Sequence, residues 1–254
     1  MSVLLEDTLA PGLIRLTLNR PAQRNALDTE LIATLHATLQ RLDTDPDCRV
    51  VLLAAQGAVF CAGADLHDMR ALAAADAAAN LADATALATL LATWRQLSRP
   101  TLCIVQGDAL GGGLGLIAAS DVALCTPRAR FRLPEVRLGL MPAVISPYVT
   151  AAMGLRAAHR YMLSGEWFSA AQAQRLQLIN EVLAADELQP AALAIATQMA
   201  LGETGALAAC KQLLRELPLH QGAERSSWTA AALAQRRATP AAQSRLTLAL
   251  GGKR

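Results

Sequence analysis

Two glycine-bearing loops are the part of this 254-residue sequence with residue types and spacing suited to chemistry. "GDALGGGLGLIAASD" (107–121) places three glycines at the start of an apolar helical run, and "QGAVFCAGADL" (56–66) follows an apolar strand-like run. Such strand-to-helix corners leave backbone N–H groups unpaired at the helix N-terminus, and glycine lets a reacting group approach them closely. Two corners side by side offer two N–H donors to one oxygen that gains negative charge, as a thioester carbonyl does when an enolate forms.

These glycines have two other interpretations: tight packing of a helix on a strand, or a phosphate-binding loop. For glycines considered without further evidence, packing is the favoured interpretation. The run "GGGLGL" matches the G-x-G-x-x-G pattern only weakly, and no acidic residue follows at the spacing that a dinucleotide site needs. A P-loop would need Gly-Lys-Ser/Thr, which the run lacks. The helical run itself carries no acid, base or nucleophile, so a group that moves a proton must come from elsewhere in the chain.

The flanking patterns predict the elements that position these loops. Residues 3–9 and 13–19 alternate apolar and polar side chains around "APG", which predicts a β-hairpin. Asp28 is the predicted N-cap of a helix, and an Ala-rich helix is predicted at about 76–97. Three apolar runs predict buried strands: "CRVVLLAA", "PTLCIVQG" and "DVALCT".

Helices dominate the predicted second half of the chain. Beyond about residue 145 helix follows helix, and "GEWFSAAQAQRLQLINEVL" (165–183) is predicted as one unit. The strand–helix–strand order before that point predicts the α/β class with parallel or mixed pairing. We find no repeat and no linker, so we expect an α/β core at 1–195 and a helical C-terminal region at 196–254.

Composition excludes several classes of function. The chain is 53% hydrophobic and 17% charged with a net charge of +2, which is typical of a globular protein, and 3% aromatics leave little for base stacking, so we expect no nucleic-acid partner. Acids stand where a signal peptide needs basic residues, and no apolar run reaches about 18 residues, so we expect no membrane and a cytoplasmic location. Five cysteines without a C-x-x-C indicate a reducing compartment. His36, His159 and His220 have no carboxylate or cysteine at ligand spacing, so we expect no metal site.

Five blocks, in this order, resemble the enoyl-CoA hydratase/isomerase (crotonase) superfamily. They are "NRPAQRNAL", "FCAGADL", "GDALGGGLGLIAASDVAL", "ARFRLPEVRLGLMP" and "AQAQRLQLINEVL", and the resemblance covers about residues 5–215. It implies an α/β, crotonase-like fold, a right-handed spiral of β-β-α turns with a helical C-terminal trimerisation region. It further implies an acyl-CoA thioester substrate, no cofactor because CoA is part of that substrate, and a homotrimer or a dimer of trimers.

The resemblance also implies the site residues. It places the oxyanion-hole N–H groups at Ala64 and Gly112, Arg24 where the family contacts the CoA nucleotide, and Lys211 near the CoA phosphates. Members of the family line the thioester and pantetheine channel at positions that fall on Ala64, Asp65, Leu66 and His67. The other substrate-binding positions implied are Ala62, Gly112, Gly115 and Pro134.

Hydratases of this family carry two glutamates, which together hold a water molecule and move its proton. By the resemblance, the first position here is Gly115 and the second, 20 residues later, is Glu135. Apolar neighbours predict that the Glu135 carboxyl is partly buried, which would raise its pKa towards the range useful for proton transfer. Without the resemblance, Glu135 would instead be interpreted as a surface acid paired with a neighbouring arginine.

One acid in place of two leaves several activities open. Isomerases of the family use a single glutamate at the Glu135 position, whereas a dehalogenase of the family would need an aspartate where this chain has Ala143. The string "AVISPYV" replaces the Gly-Gly-Thr-Gln-Arg-Leu of many hydratases and resembles bacterial hydratases of 3-methylglutaconyl-CoA and isohexenylglutaconyl-CoA, in leucine and terpene breakdown. We therefore predict a hydratase of a branched enoyl-CoA, with an isomerase or a catalytically silent acyl-CoA-binding paralogue as alternatives.

Two further features bear on the substrate. A diacid substrate would need a cation in the pocket, for which Arg132, Arg137 and Arg156 are candidates. The C-terminal "QSRLTLALGGKR" has Ala249 where relatives often have a phenylalanine that helps to close the CoA site.

Overall fold

The computed structural model describes residues 2–251, apart from the side chains of Leu66, His67 and Ala73. The strands in this range are β1 (Leu4–Ala10), β2 (Leu13–Leu18), β3 (Val50–Ala55), β4 (Val59–Cys61), β5 (Thr101–Val105), β6 (Asp108–Leu110), β7 (Val122–Cys125), β8 (Arg130–Arg132), β9 (Trp167–Ser169) and β10 (Glu181–Val182).

Helices follow most of the strand pairs. They are α1 (Thr29–Thr44), α2 (Leu66–Ala73), α3 (Ala77–Gln96), α4 (Gly112–Ala119), α5 (Ser146–Met153), α6 (Leu155–Ser164), α7 (Ala170–Arg175), α8 (Leu188–Ala200), α9 (Thr204–Glu216), α10 (Gly222–Arg237) and α11 (Pro240–Gly251). Short 3₁₀ helices lie at Pro21–Gln23, Glu135–Leu138 and Leu217–Leu219.

The strands form two sheets. The larger has the order β1-β2-β3-β5-β7-β10, in which β1 and β2 are antiparallel and every other pair is parallel. The smaller has the order β4-β6-β8-β9, with β4, β6 and β8 parallel and β9 antiparallel to β8. Three successive turns of the chain each give one strand to each sheet and then a helix: β3-β4-α2, β5-β6-α4 and β7-β8-α5. This arrangement confirms the predicted α/β fold built of β-β-α turns.

The larger sheet is buried on both faces. Along β3, Val51 and Leu53 belong to a core that also contains the apolar stripe of α1, whereas Val50 and Leu52 belong to a second core against α8. Burial on both faces explains why the strand is an uninterrupted apolar run, as parallel strands covered on both sides usually are. The predicted hairpin, the three buried strands and the N-cap are confirmed, because the Asp28 carboxylate accepts a hydrogen bond from the Leu31 N–H at 2.8 Å.

The register of the smaller sheet brings three loops to one edge. Val59 pairs with Asp108, and Ala109 pairs with Phe131, so β4, β6 and β8 end side by side. Their carboxyl ends point the same way because the three strands are parallel. The loops that follow them therefore meet, and these loops contain the glycines and the acid that the sequence singled out.

One expectation about the second half needs correction, and another stays a prediction. The stretch 165–183 is not one helical unit, since it contains β9, α7 and β10. Ser169 starts α7 as its N-cap, and the Asn180 side chain accepts a hydrogen bond from the Ala123 N–H of β7, which draws the chain back to the sheet. The predicted domain boundary at 195/196 falls inside α8, whose Ala192 and Ala196 both pack in the second core. The division into a core and a helical C-terminal region stays a prediction.

Among the described residues, no single helix is long and apolar enough to cross a membrane. One pair of helices, Leu188–Ala200 with Thr204–Leu219, reaches that length and composition only when the two are counted together, and the pair is bent by 105°.

Asn25 fixes the loop that runs beside the first glycine loop. Its side chain is fully buried, its Nδ2 donates to the carbonyls of Gln56 and Val59 at 2.8 Å, and its Oδ1 accepts from the Arg20 N–H at 2.9 Å. The backbone of Asn25 has a φ of 53°, a left-handed conformation that asparagine tolerates better than most residues. These bonds tie residues 20–25 to the β3–β4 connection.

We expect Asn25→Ala to lower the free energy of unfolding by about 2–4 kcal/mol, because three buried hydrogen bonds are lost and alanine disfavours a positive φ. Urea denaturation measures the change. Gln23→Ala is the control, since Gln23 is exposed in the same segment and its replacement should change stability by less than about 0.5 kcal/mol. Equal stabilities of the two variants would show that Asn25 does not hold this loop.

Candidate active site

The two glycine loops touch each other through bare backbone. Gly63, which follows β4, has a φ of +86°, and a Cβ atom on it would lie 2.9 Å from the Leu110 carbonyl oxygen and 3.5 Å from the Gly112 nitrogen. A side chain at position 63 would therefore separate the loops. Glycine at this position brings the chain just before α2 into contact with the first residue of α4.

The contact leaves two backbone donors free at one place. The adjacent backbone N–H groups have acceptors. The Asp65 N–H donates to the Leu27 carbonyl at 3.1 Å, and the Gly111 N–H donates to the Arg132 carbonyl at 3.0 Å. Within residues 2–251, the N–H groups of Ala64 and Gly112 have no such acceptor. Gly112 also begins α4, so the positive end of the helix dipole lies at this N–H. Two free donors on adjoining loops are suited to hold one oxygen that gains negative charge.

The Glu135 carboxyl lies against the second loop. Glu135 starts the 3₁₀ helix after β8, and a Cβ atom on Gly111 would lie 2.8 Å from its Oε1. Gly111 has a φ of +47°, so both the space and the backbone conformation at this position favour glycine. Among the described residues, the buried Oε2 of Glu135 has no hydrogen-bond partner. Burial is the main cause that raises the pKa of this carboxyl.

Apolar side chains surround the first turn of α4. A Cβ atom on Gly112 would lie 2.8 Å from the Leu27 Cδ1 and 4.0 Å from the Leu87 Cδ2. At Gly115, where the resemblance puts the first glutamate of a hydratase, a Cβ atom would lie 2.6 Å from the Ile145 Cγ2. The volume beside Gly115 is therefore filled by Ile145.

An arginine holds the first loop in place. The Arg20 guanidinium forms ion pairs with Asp28 at 2.7 Å and with Asp65 at 3.5 Å, and all three side chains are largely buried. The Ala62 N–H donates to the Arg24 carbonyl at 3.0 Å, and the Arg24 side chain is exposed. The loop that contains Ala62, Ala64 and Asp65 is thus fixed by the segment around Arg20 and Arg24. The Arg24 side chain itself lies on the protein surface.

Two other predicted positions flank these loops. Pro134 is half-buried and immediately precedes Glu135 as the N-cap of its 3₁₀ helix. Leu66 and His67 lie in the first turn of α2, but their side chains are outside the described part of the structure. The predictions for these two side chains therefore stay predictions.

Lys211 is buried and forms an ion pair within the chain. Its Nζ is 2.6 Å from the Asp121 carboxylate and donates to the Arg99 carbonyl at 2.8 Å. Arg99 and Asp121 directly precede β5 and β7, so Lys211 lies at the end of the larger sheet where these strands begin. Its predicted place near the CoA phosphates stays a prediction. Burial lowers the pKa of this lysine, and Asp121 opposes that effect.

The arginines proposed as pocket cations are engaged or exposed. The Arg132 Nε donates to the Gly165 carbonyl at 2.8 Å, and the Arg137 Nη2 donates to the Ser164 carbonyl at 3.1 Å. Both therefore tie the segment around Glu135 to the end of α6. Arg156 is exposed on α6.

Sequence reasoning missed the apolar half of the site. Leu87 and Leu91 lie one helical turn apart in the Ala-rich α3. Leu87 faces Gly112 of α4, and Leu91 faces Gly115. Their spacing was a usable signal, because residues four apart share a helix face. Nothing local in the sequence indicates that Ile145 reaches Gly115, since that contact depends on how α5 packs against α4.

Comparisons with known proteins agree with this geometry. The family model described as enoyl-CoA hydratase/isomerase matches residues 9–238. The chain is 39% identical to 2,3-dehydroadipyl-CoA hydratase of Escherichia coli (strain K12) over 202 residues, which are 79% of this chain and 77% of that protein. It is 36% identical to mevalonyl-coenzyme A hydratase sidH of Aspergillus fumigatus over 188 residues, 74% and 68% of the two chains. The crystal structure of an enoyl-CoA hydratase from Shewanella pealeana matches with a TM-score of 0.94 and 39% identity, covering 99% of this chain and 94% of that one.

The raised pKa of Glu135 predicts a pH-dependent cost in stability. A carboxyl whose pKa is higher in the folded than in the unfolded state destabilises the fold progressively as pH rises from its unfolded pKa through its folded pKa. We therefore expect Glu135→Gln to have a higher Tm than the wild type at about pH 8, and the two Tm values to converge below the unfolded pKa of about 4.3.

Thermal unfolding followed by circular dichroism across this pH range measures the difference. Glu181→Gln is the control, because Glu181 is exposed in β10. A Tm difference for Glu135→Gln that does not change with pH would contradict the burial of an ionisable carboxyl.

Proposed function

The chain belongs to the enoyl-CoA hydratase/isomerase family, and we propose that it adds water to a branched enoyl-CoA thioester with Glu135 as acid and base. The match confirms the resemblance found in the sequence and makes the protein an enoyl-CoA hydratase-type enzyme, a carbon–oxygen lyase. The observation that carries the proposal is the Glu135 carboxyl, buried and with a free Oε2, beside a loop with an unpaired N–H group.

The thioester oxygen is proposed to bind the N–H groups of Ala64 and Gly112. Attack at the β-carbon moves the electrons of the double bond towards this oxygen and produces an enolate. Donors fixed in the backbone stabilise that charge without reorganising, and the N-terminus of α4 adds its dipole. Removing one such donor from a comparable site costs about 10²–10³ in kcat.

The Glu135 carboxylate then carries one proton through the whole reaction. It accepts a proton from water as the water oxygen bonds to the β-carbon. The enolate next takes that proton from Glu135 at its α-carbon, which restores the thioester and the carboxylate. One carboxyl is sufficient because the proton accepted in the first step is the proton delivered in the second.

The substrate proposed is of the 3-methylglutaconyl-CoA or isohexenylglutaconyl-CoA type. The apolar side chains of Leu27, Leu87 and Ile145 around α4 suit a branched acyl group. One relative is named for 2,3-dehydroadipyl-CoA, a chain with a second carboxylate, and another for mevalonyl-CoA, a chain with a methyl branch. The exposed Arg24 beside the first loop is proposed to contact the CoA nucleotide.

The remaining parts of the proposal concern cofactors and location. The reaction needs no cofactor besides the CoA carried by the substrate. Among the described residues, no three His, Cys, Asp or Glu side chains are grouped to hold a metal ion. A cytoplasmic location suits the cysteines, of which Cys48, Cys61, Cys103 and Cys125 are buried and all five are unbridged.

We further propose a homotrimer or a dimer of trimers. In this chain, α10 and α11 contain no buried residue, and Leu233, Leu246, Leu248 and Leu250 are between 47% and 76% exposed. Helices with solvent-exposed apolar residues are typical of surfaces that pack against another subunit.

Light scattering coupled to size-exclusion chromatography is expected to give three or six times the 26.7 kDa chain mass. Leu248→Glu together with Leu250→Glu should reduce the mass, whereas Leu81→Glu, an exposed leucine on α3, should not. A wild-type mass of one chain would contradict this assembly.

We expect Glu135→Gln to lower hydration of 3-methylglutaconyl-CoA by about 10²–10⁴, the usual contribution of a general acid or base. Mass spectrometry of the acyl-CoA measures the gain of one water, with Glu181→Gln as the control. Deuterium entering the acyl chain from D₂O without gain of water would show an isomerase instead. An unchanged thioester under both conditions would contradict the proposed activity on this substrate.

A further inference from the structure

Two glycines at the start of α4, the N-cap Gly111 and Gly115 within the helix, each leave a space that another side chain fills. Gly111 and Gly115 are one helical turn apart, and the Gly115 N–H donates to the Gly111 carbonyl at 3.2 Å. The Glu135 Oε1 lies 2.8 Å from the position of a Cβ atom on Gly111, and the Ile145 Cγ2 lies 2.6 Å from that on Gly115. The carboxyl therefore covers the N-cap of α4, and the isoleucine covers the position one turn further along the chain.

Ile145 is fixed in this position by its surroundings. Its side chain is 3% exposed, and its carbonyl accepts hydrogen bonds from the N–H groups of Tyr148 and Val149 at the start of α5. Leu91 approaches the same space from α3, with its Cδ1 3.2 Å from the position of a Cβ atom on Gly115. A side chain at position 115 would therefore have to displace Ile145, which backbone and neighbouring side chains both hold.

We propose that Ile145 is a positioning residue that occupies the place of a second acid beside Glu135 and keeps water from its carboxyl. The inference rests on the proposed function, since it assigns a role in the same site. It accounts for two observations: a glycine stands where a second acid would be, and the remaining carboxyl has an oxygen that is buried without a partner. An apolar side chain in this place offers the carboxyl no hydrogen bond and takes up space that water would need.

Charged groups on the packed elements do not account for the state of Glu135. Neither α4 (Gly112–Ala119) nor its N-cap Gly111 has a titratable side chain. Arg132 and Arg137 donate to the carbonyls of residues 165 and 164, and Asp65 is paired with Arg20. The other titratable groups on the helices that pack around this site are Asp83 and Arg95 of α3, Tyr148 of α5, and Arg156, His159, Arg160 and Tyr161 of α6. Burial is the main cause of the raised pKa of Glu135, and its own backbone N–H is the opposing one.

We expect Ile145→Ala to admit water beside Glu135 and to lower the pKa of its carboxyl. The measurement is a ¹³C NMR titration of the glutamate side chains without substrate, in which Glu135→Gln identifies the signal. Ile104→Ala is the matched control, because Ile104 is 1% exposed but belongs to the second core, against α8. A Glu135 titration that is unchanged in Ile145→Ala, or that shifts equally in Ile104→Ala, would overturn the proposal.

Kinetics give the second readout. In Ile145→Ala, the acidic side of the kcat/KM profile for 3-methylglutaconyl-CoA hydration should move to lower pH, and kcat/KM at neutral pH should fall by about tenfold. Loss of packing alone would lower Tm without moving the profile. Because the NMR titration needs no turnover, it tests the role of Ile145 even if the wild type does not hydrate this substrate.

A double-mutant cycle tests whether positions 115 and 145 share one space. Gly115→Ala alone should lower kcat/KM by at least about tenfold, because its Cβ would displace Ile145. Gly115→Ala combined with Ile145→Val should recover part of that loss. Losses that simply multiply in the pair would show that the two positions are independent and would overturn the proposal.

Discussion

The parallel register of three short strands is the constraint on which the site depends. β4, β6 and β8 have three residues each, yet their pairing sets the Ala64 loop, the start of α4 and Glu135 along one edge. Each strand follows a longer strand of the larger sheet, so the buried sheet fixes where the short strands begin. Burial of apolar strands is therefore the main stabilisation behind a site whose own residues are small or polar.

Absence of side chains shapes the site as much as their presence. Gly63 lets the two glycine loops touch, and Gly111 lets the Glu135 carboxyl approach the start of α4. Gly115, one turn further along, lets Ile145 pack against the helix backbone. At Gly63 and Gly111 the backbone also has a positive φ, so sterics and conformation act together. At Gly115 only the occupied space excludes a side chain, which is why the identity of that residue is coupled to the residue at 145.

The sequence predicted the longer elements because each has a pattern of its own. The run of β3 and the cap at Asp28 are local signals, and the resemblance assigned Glu135 to the second glutamate position of a hydratase. The smaller sheet escaped prediction because three residues carry no periodicity. Lys211 was assigned from its position in a motif, whereas its burial against Asp121 depends on where α9 packs. Contacts between distant segments, such as Ile145 with Gly115, have no local signal.

A single buried carboxyl imposes a balance on the proposed chemistry. Burial makes Glu135 a stronger base, since its pKa is raised, but it also reduces the ionised fraction that is able to accept a proton. The most effective value lies near the working pH, where both requirements are met. A second carboxyl at position 115 would raise the pKa of Glu135 further through like-charge repulsion, whereas Ile145 raises it by desolvation alone. An apolar neighbour thus tunes the acid without adding another group that must be held in the correct protonation state.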